Sequence, residues 1–379
     1  KAKGYGIIAR VPLASGLLIS PDGTGGAYVA WGRFGGDISL QRVTGSGDIA
    51  PGWPAEGLPV CTDPAFQSFS SVSPDGLGGI LIVWSDARNS GTTGSDIYAQ
   101  RVLANGTLAP GWSVDGVPVS RAPGYQSNPV LCADSAGGAF VTWFDDNTLD
   151  IYAQHLSPIG VPVPGWAADG LPVCVEPSRQ GAPHITADGA GGAILAWGDH
   201  RDGPIAAYAQ RVLADGSLVP GWPTNGVRIV LNRYIRELMP DVAGGAYLAC
   251  GTAGQSGDDD YFLQRFTGSG AIAPGWPAGG AVVCQAPDIR FALRMVPDGA
   301  GGVLLAWYDY RDFSDDEIFL LRMREDGTRF PGWPADGLRV TDNTLLDSIE
   351  NLAPDGMGGA YLSWDRYLGP SIGDRQALH

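Results

Sequence analysis

Hydrophobic and polar positions alternate along this chain in short runs, and glycine or proline ends almost every run. In one stretch, residues 69–73 lead into Pro-Asp-Gly-Leu-Gly-Gly, and the apolar run 80–84 follows. A third run, 96–102, comes after a polar loop, and a short fourth run, 116–119, comes after Pro-Gly-Trp. Short runs interrupted by turn residues predict β-strands and not helices. We label the four predicted strands A to D.

This four-stranded unit recurs seven times. Each copy carries a Gly-Gly pair with an aspartate three residues before it, and the first glycines are Gly25, Gly78, Gly137, Gly191, Gly244, Gly301 and Gly358. Six of the copies have a tryptophan six residues after that glycine, and the fifth has Cys250 there. Repeats of four short strands are typical of propeller blades. The sequence therefore predicts an all-β chain that folds as a seven-bladed β-propeller with four-stranded antiparallel blades.

We expect one domain over residues 1–379, closed by its own terminus. The predicted blades are 9–61, 62–120, 121–174, 175–230, 231–284, 285–341, and 342–379 together with 1–8. Gly4 lies 21 residues before Gly25, which is the spacing of a strand D glycine from the next Gly-Gly pair. The last copy ends within its strand C. The N-terminal strand is therefore predicted to complete the last blade and to remove two sheet edges.

The charge of the chain narrows the range of partners. A net charge of −16 would repel nucleic acid and anionic membrane surfaces, so we expect neither as a partner. No apolar run is long enough to span a bilayer. The chain begins at Lys1 without a methionine or an apolar leader run, so we expect a mature or trimmed form. We expect it to be a monomer.

Two motifs suggest relatives. The run Trp-x-Asp-x-Arg at 84–88, followed by Asp-Ile-Tyr-Ala-Gln-Arg-Val at 96–102, resembles repeats of secreted or surface bacterial propellers. More loosely, it resembles the sialidase-like, Asp-box propeller superfamily. The resemblance covers the whole chain and implies a propeller fold and an extracellular location.

Two recurring features have both a structural and a binding interpretation. The aspartate before each Gly-Gly pair would cap its turn, or it could hold a structural calcium ion. The tryptophan of each Pro-Gly-Trp turn would pack within its blade, or it could stack on a sugar ring. Because both residues recur at fixed spacing, we favour the structural interpretation of each. We expect no cofactor and no catalytic metal.

The loops between strands B and C carry charged groups in alternate copies. The candidates for ligand contact are Asp199 and His200 in the fourth copy and Asp309 and Arg311 in the sixth. The alternative is that each aspartate and arginine form an ion pair that only fixes the loop.

Strand A offers the most informative pattern, because the later copies depart from the repeat. The residues 11 positions before each Gly-Gly pair are Ala14, Gln67, Gln126, Gln180, Arg233, Arg290 and Asp347. Four positions further on are Leu18, Ser71, Val130, His184, Glu237, Arg294 and Asn351. The two-residue period of a strand places both columns on one side and Tyr234 on the other. Such departures from a repeat indicate a constraint besides folding.

Three functions are compatible with this cluster. The first is a binding module that takes an anionic glycan or another acidic group on Arg233, Arg290 and Arg294, because an arginine fork suits a carboxylate. The second is a hydrolase, for example a glycosidase, with Glu237, Asp347 and His184 as catalytic candidates. The third is a scaffold for a protein partner, in which the charges form only an internal ion-pair network.

Overall fold

The computed structural model describes residues 14–33, 36–252, 260–285, 290–309, 311, 317–341, 347–355, 357–367 and 375–377. Every regular element within these ranges is a β-strand, and the strands form seven antiparallel sheets in chain order. This confirms the all-β blade architecture. Residues 1–8, which were predicted to close the last blade, lie outside the described part of the chain. No helix in the described ranges is long and apolar enough to cross a bilayer.

The chain divides into two compact units. The first, called the N-terminal unit, contains the described residues of 7–201 and 209–227, and the C-terminal unit contains those of 202–208 and 228–379. A single domain therefore stays a prediction.

Sheets 1 to 4 follow the strand order A-B-C-D. Their strands are, for sheet 1, Ala14–Pro21, Ala27–Arg33, Ile38–Val43 and Leu58–Cys61; for sheet 2, Gln67–Pro74, Ile80–Asp86, Asp96–Val102 and Val117–Ser120; for sheet 3, Gln126–Ala133, Ala139–Asp145, Asp150–Leu156 and Leu171–Cys174; and for sheet 4, Gln180–Ala187, Ala193–Asp199, Ala206–Val212 and Val227–Leu231.

Sheets 5 to 7 repeat this order, with three described strands in the last. Their strands are, for sheet 5, Arg233–Pro240, Ala246–Thr252, Tyr261–Phe266 and Ala281–Cys284; for sheet 6, Arg290–Pro297, Val303–Asp309, Glu317–Met323 and Leu338–Arg339; and for sheet 7, Asp347–Pro354, Ala360–Tyr367 and Arg375–Ala377.

Apolar side chains of neighbouring sheets form the cores of both units. One core joins sheets 2 and 3 around Trp112 and Trp143, and another joins sheets 5 and 6 around Trp276 and Trp307. The strand B tryptophan also explains the recurring glycine that opens strand D. A Cβ on Gly116 would lie 2.5 Å from the ring of Trp84, and its φ of 88° suits glycine. The apolar pattern of the repeat is therefore a packing pattern between sheets.

The aspartate of each A–B turn has a structural role. Asp75 is buried, and its Oδ1 accepts hydrogen bonds from the backbone N–H groups of Leu77 and Gly79. Its Oδ2 accepts from Arg101 of strand C at 2.7 Å. The other described turns repeat the two backbone bonds. The geometry is that of a turn cap, as the structural interpretation predicted.

A second set of hydrogen bonds links neighbouring sheets within each unit. The Ala104 carbonyl of sheet 2 accepts from both Arg42 Nη1 and Trp53 Nε1 of sheet 1, each at 3.0 Å. In sheet 5, Arg265 and Trp276 donate in the same way to the Glu325 carbonyl of sheet 6. The Pro-Gly-Trp tryptophans therefore pack and donate between sheets, and they do not present an open stacking face.

A β-bulge interrupts strand A in every sheet. In sheet 2, Phe69 pairs with Trp84 and Ser71 pairs with Val83, so Ser70 is an extra residue. The other six sheets have the same shift in register. An extra residue reverses the side of the sheet on which all later side chains lie. In sheet 6 the bulge holds Ala292 at a φ of 51°, a strained conformation for a residue with a Cβ.

Candidate functional site

The bulge corrects the prediction that the two polar columns of strand A share one side. Arg290 pairs with Asp309, whereas Arg294 pairs with Ala306, three residues away on strand B. Positions three apart on a strand face opposite sides. The same holds in sheet 5, where Arg233 pairs with Thr252 and Glu237 with Ala249. Among the side chains that the structure describes, it is Glu237 and Arg294 of the second column that come together.

Glu237 and Arg294 form the centre of the candidate site. The carboxylate Oε1 of Glu237, on sheet 5, lies 3.7 Å from Nη1 of Arg294, on sheet 6. The two side chains keep 31% and 39% of their surface exposed. The same arginine nitrogen donates to the Leu293 carbonyl at 3.2 Å. This is a loose contact, longer than a charge-assisted hydrogen bond.

The surroundings of Glu237 favour its neutral form. Removal from water raises the pKa of Glu237 to about 7, and the positive charge of Arg294 offsets only part of that rise. Protein atoms crowd this carboxyl group although almost a third of the side-chain surface still meets solvent. The group is set back from the surface and within reach of water. It can therefore gain or lose a proton near neutral pH.

Arg290 does not join this centre. Its side chain is buried between sheets 5 and 6, and its guanidinium lies 3.8 Å from Asp260 and 3.9 Å from Asp309. Arg233 is also held by its own sheet, with its guanidinium 3.8 Å above the ring of Phe262. Its Nη1 donates to the Asn232 carbonyl. The guanidinium groups of these two arginines therefore contact other protein groups and not the pair Glu237 and Arg294.

The remaining candidates of strand A are Asp347, Asn351 and His184. Asp347 pairs with Arg366 and Asn351 pairs with Ser363 in sheet 7, so they occupy the same two columns. His184 belongs to the N-terminal unit, where it pairs with Ala196 and is half-buried. Burial lowers the pKa of His184 to about 4, so its ring is neutral at physiological pH.

The B–C loop charges form buried pairs, as the loop-fixing alternative proposed. Asp309 accepts from Trp307 Nε1 at 3.1 Å and from Arg311 Nε at 2.8 Å. Arg311 also donates to the Asp336 carbonyl at 3.0 Å. In sheet 4, Asp199 pairs with Arg201 at 2.6 Å, while His200 is exposed. Burial raises the pKa of Asp199, but hydrogen bonds from Arg201 and Trp197 outweigh it and the net pKa is lowered. The buried aspartates offer no carboxylate to a ligand.

The described residues include no group of three or more His, Cys, Asp or Glu side chains placed to hold a metal ion. The structure also draws attention to aromatic residues that were not among the predicted binding residues. Phe291 is 41% exposed and stacks on Tyr308 with ring centroids 5.5 Å apart. Tyr234 is 44% exposed, and the bulge places it on the same side as Glu237, contrary to the expectation from a two-residue period. The sequence signal for both is a change from serine or glycine in the repeat.

The fold has solved relatives, although no known family model and no curated protein matches the chain. A polysaccharide lyase, described as an ulvan lyase of family PL25, matches with a TM-score of 0.59 at 9% identity. That match covers 96% of this chain and 90% of the lyase. A Dyadobacter fermentans protein of unknown function matches with a TM-score of 0.44, 12% identity, and coverage of 84% and 94%. A microbial sialidase, Hz136, matches with a TM-score of 0.41, 12% identity, and coverage of 87% and 70%. Together with the seven sheets, the lyase match shows a β-propeller fold and, at such low identity, no more than the fold.

Proposed function

We propose that this protein is a secreted or cell-surface propeller that binds an acidic glycan through Arg294 beside Glu237. The observation that carries the proposal is that the positive charge of Arg294 is only partly paired within the protein. Its guanidinium is partly exposed, and its ion pair with Glu237 is a single contact at 3.7 Å. A glutamate whose pKa is raised to about 7 is protonated about half of the time at neutral pH. It therefore neutralises Arg294 incompletely.

A carboxylate-bearing sugar suits this site for a physical reason. The net charge of −16 repels anions from the protein as a whole. An anion that binds at the partly exposed Arg294 must therefore be attracted locally by its guanidinium. A guanidinium binds a carboxylate through two parallel hydrogen bonds, which are stronger where water is partly excluded. The solved protein that matches the fold with a TM-score of 0.59 is named a polysaccharide lyase, which is compatible with a glycan ligand.

Calorimetric titration with tetragalacturonate and its methyl-esterified, uncharged form tests the proposal. We expect the acidic form to bind and Arg294→Gln to weaken that binding about 10- to 100-fold, since a hydrogen bond to a charged group contributes about 1.5–3 kcal/mol. Arg228→Gln is the matched control, because Arg228 is an exposed arginine of the same unit that pairs with Asp202. Equal binding of the two forms, or equal binding by the Arg294 variant, would contradict the proposal. An array of uronate- and sialate-bearing glycans then identifies the preferred sugar.

The protonation of Glu237 favours a second function, an acid–base enzyme that acts on the bound glycan. A carboxylic acid with a pKa near the working pH can donate a proton to the leaving oxygen of a glycosidic bond, while a water molecule adds to the anomeric carbon and releases a proton. Glu237 meets that requirement with a pKa of about 7. We expect Glu237→Gln to abolish the release of reducing ends and to retain binding. Binding without release of reducing ends in the unmodified protein would leave the binding module as the function.

A further inference from the structure

One column of strand A changes from small to aromatic residues in two neighbouring sheets. The residue after the first position of strand A is Ser15, Ser68, Ser127, Gly181, Tyr234, Phe291 and Ser348. Five copies thus carry serine or glycine, and sheets 5 and 6 carry large rings. Because every copy folds into the same strand, folding alone does not require a ring here.

The two rings are presented to solvent. Tyr234 is 44% exposed and Phe291 is 41% exposed. Phe291 stacks on Tyr308 with an angle of 27° between the rings, so the pair behaves as a fixed platform. A partly exposed aromatic ring presents a face on which the apolar side of a sugar can stack.

The register places each ring beside the charged centre. Phe291 pairs with Tyr308 and Arg294 with Ala306, two residues apart on one side of sheet 6. Tyr234 pairs with Gly251 and Glu237 with Ala249, again two residues apart on one side of sheet 5. Two residues of strand span about 7 Å. Each ring therefore lies next to one member of the pair Glu237 and Arg294, on the same side of its sheet.

We propose that Tyr234 and Phe291 form a stacking platform for the sugar residues that flank the acidic sugar held by Arg294. The inference rests on the proposed function and deepens it. The ligand class is then an oligosaccharide of at least two residues, in which one carries a carboxylate and a neighbour presents an apolar ring face. A single acidic sugar would contact Arg294 and leave the platform uncovered.

The test replaces each ring by the residue that the repeat itself uses, in Tyr234→Ser, Phe291→Ser and the double variant. The control is Tyr361→Ser, because Tyr361 is a 69% exposed aromatic of the same unit at the A–B end of its strand. The probes are tetragalacturonate, galacturonate and the neutral galactotetraose. We expect each single variant to weaken tetragalacturonate binding about 5- to 15-fold and the double variant more. Galacturonate binding should not change, and each variant should still unfold in one cooperative transition.

The binding of the two tetrasaccharides to these variants distinguishes a failure of the platform from a failure of the proposed function. If Arg294→Gln loses tetragalacturonate and the double serine variant retains it, the platform is wrong and the proposed function stands. If galactotetraose binds, the double variant loses it and Arg294→Gln affects neither tetrasaccharide, the platform stands and the acidic-glycan function is wrong. If neither tetrasaccharide binds the unmodified protein, both are wrong.

Discussion

Two acid–arginine pairs of the C-terminal unit differ in almost every respect. Asp309 and Arg311 are joined by several short hydrogen bonds, with Trp307 Nε1 as a further donor to the buried carboxylate. Glu237 and Arg294 share one contact at 3.7 Å and stay partly exposed. The first arrangement recurs as Asp86–Arg88 and Asp199–Arg201, and the second occurs where the repeat is broken. The recurring pair serves the fold, whereas the loose pair, which departs from the repeat, is the one to which we propose that a ligand binds.

The largest effect is expected from removing the buried member of the recurring pair. Asp309→Ala would leave the guanidinium of Arg311, and that of the buried Arg290 nearby, without this carboxylate. Breaking a buried ion pair on one side costs about 3–5 kcal/mol. Urea denaturation should show that loss in the free energy of unfolding. A change below about 1 kcal/mol would mean that the pair is as dispensable as a surface one.

The turn aspartates should come next, and without any metal dependence. Asp75→Ala removes the acceptor of two backbone N–H groups and of Arg101, although Arg101 keeps a contact with the Pro158 carbonyl at 3.4 Å. We expect a loss of about 2–3 kcal/mol, measured by urea denaturation. A calcium chelator should leave the melting temperature of the unmodified protein unchanged. If chelation lowers it, and does so less in a variant lacking several turn aspartates, the turns bind calcium.

The smallest effect is a change in pH dependence caused by Glu237. Its pKa is about 7 in the folded protein and usually 4.5, so the folded state binds the proton more tightly. The stabilisation is complete below about pH 4.5 and is lost as the pH rises through 7. Relative to Glu237→Gln, the unmodified protein should therefore become less stable between these values. His184, whose pKa is lowered to about 4, has the opposite effect and is common to both proteins, so their difference isolates Glu237. Parallel pH profiles of the melting temperature would mean that Glu237 is ionised in the usual range.

The sequence was informative about the strands and turns because each is encoded locally. Alternation and the Pro-Asp-Gly-x-Gly-Gly turn predicted strands A and B, whereas the contact of the Trp84 ring with Gly116, which explains the recurring glycine, came from the structure. The side of the sheet on which the strand A residues lie was predicted wrongly. A bulge adds one residue without changing composition, so the pattern of strand A does not reveal it. Arg290 and Arg294 were therefore grouped, although they face opposite sides of sheet 6.

The shared carbonyls that link successive sheets have a consequence for how the protein comes apart. Because the Ala104 carbonyl accepts from both Arg42 and Trp53, opening sheet 2 would leave two donors of sheet 1 unsatisfied. Sheets that are linked in this way are coupled to one another, as in other repeat arrays, and local openings should involve more than one sheet. Amides of linked neighbouring sheets should then show similar rates of hydrogen exchange. Since strand A provides none of these linking donors, its exposed side chains can change between copies without loosening these links.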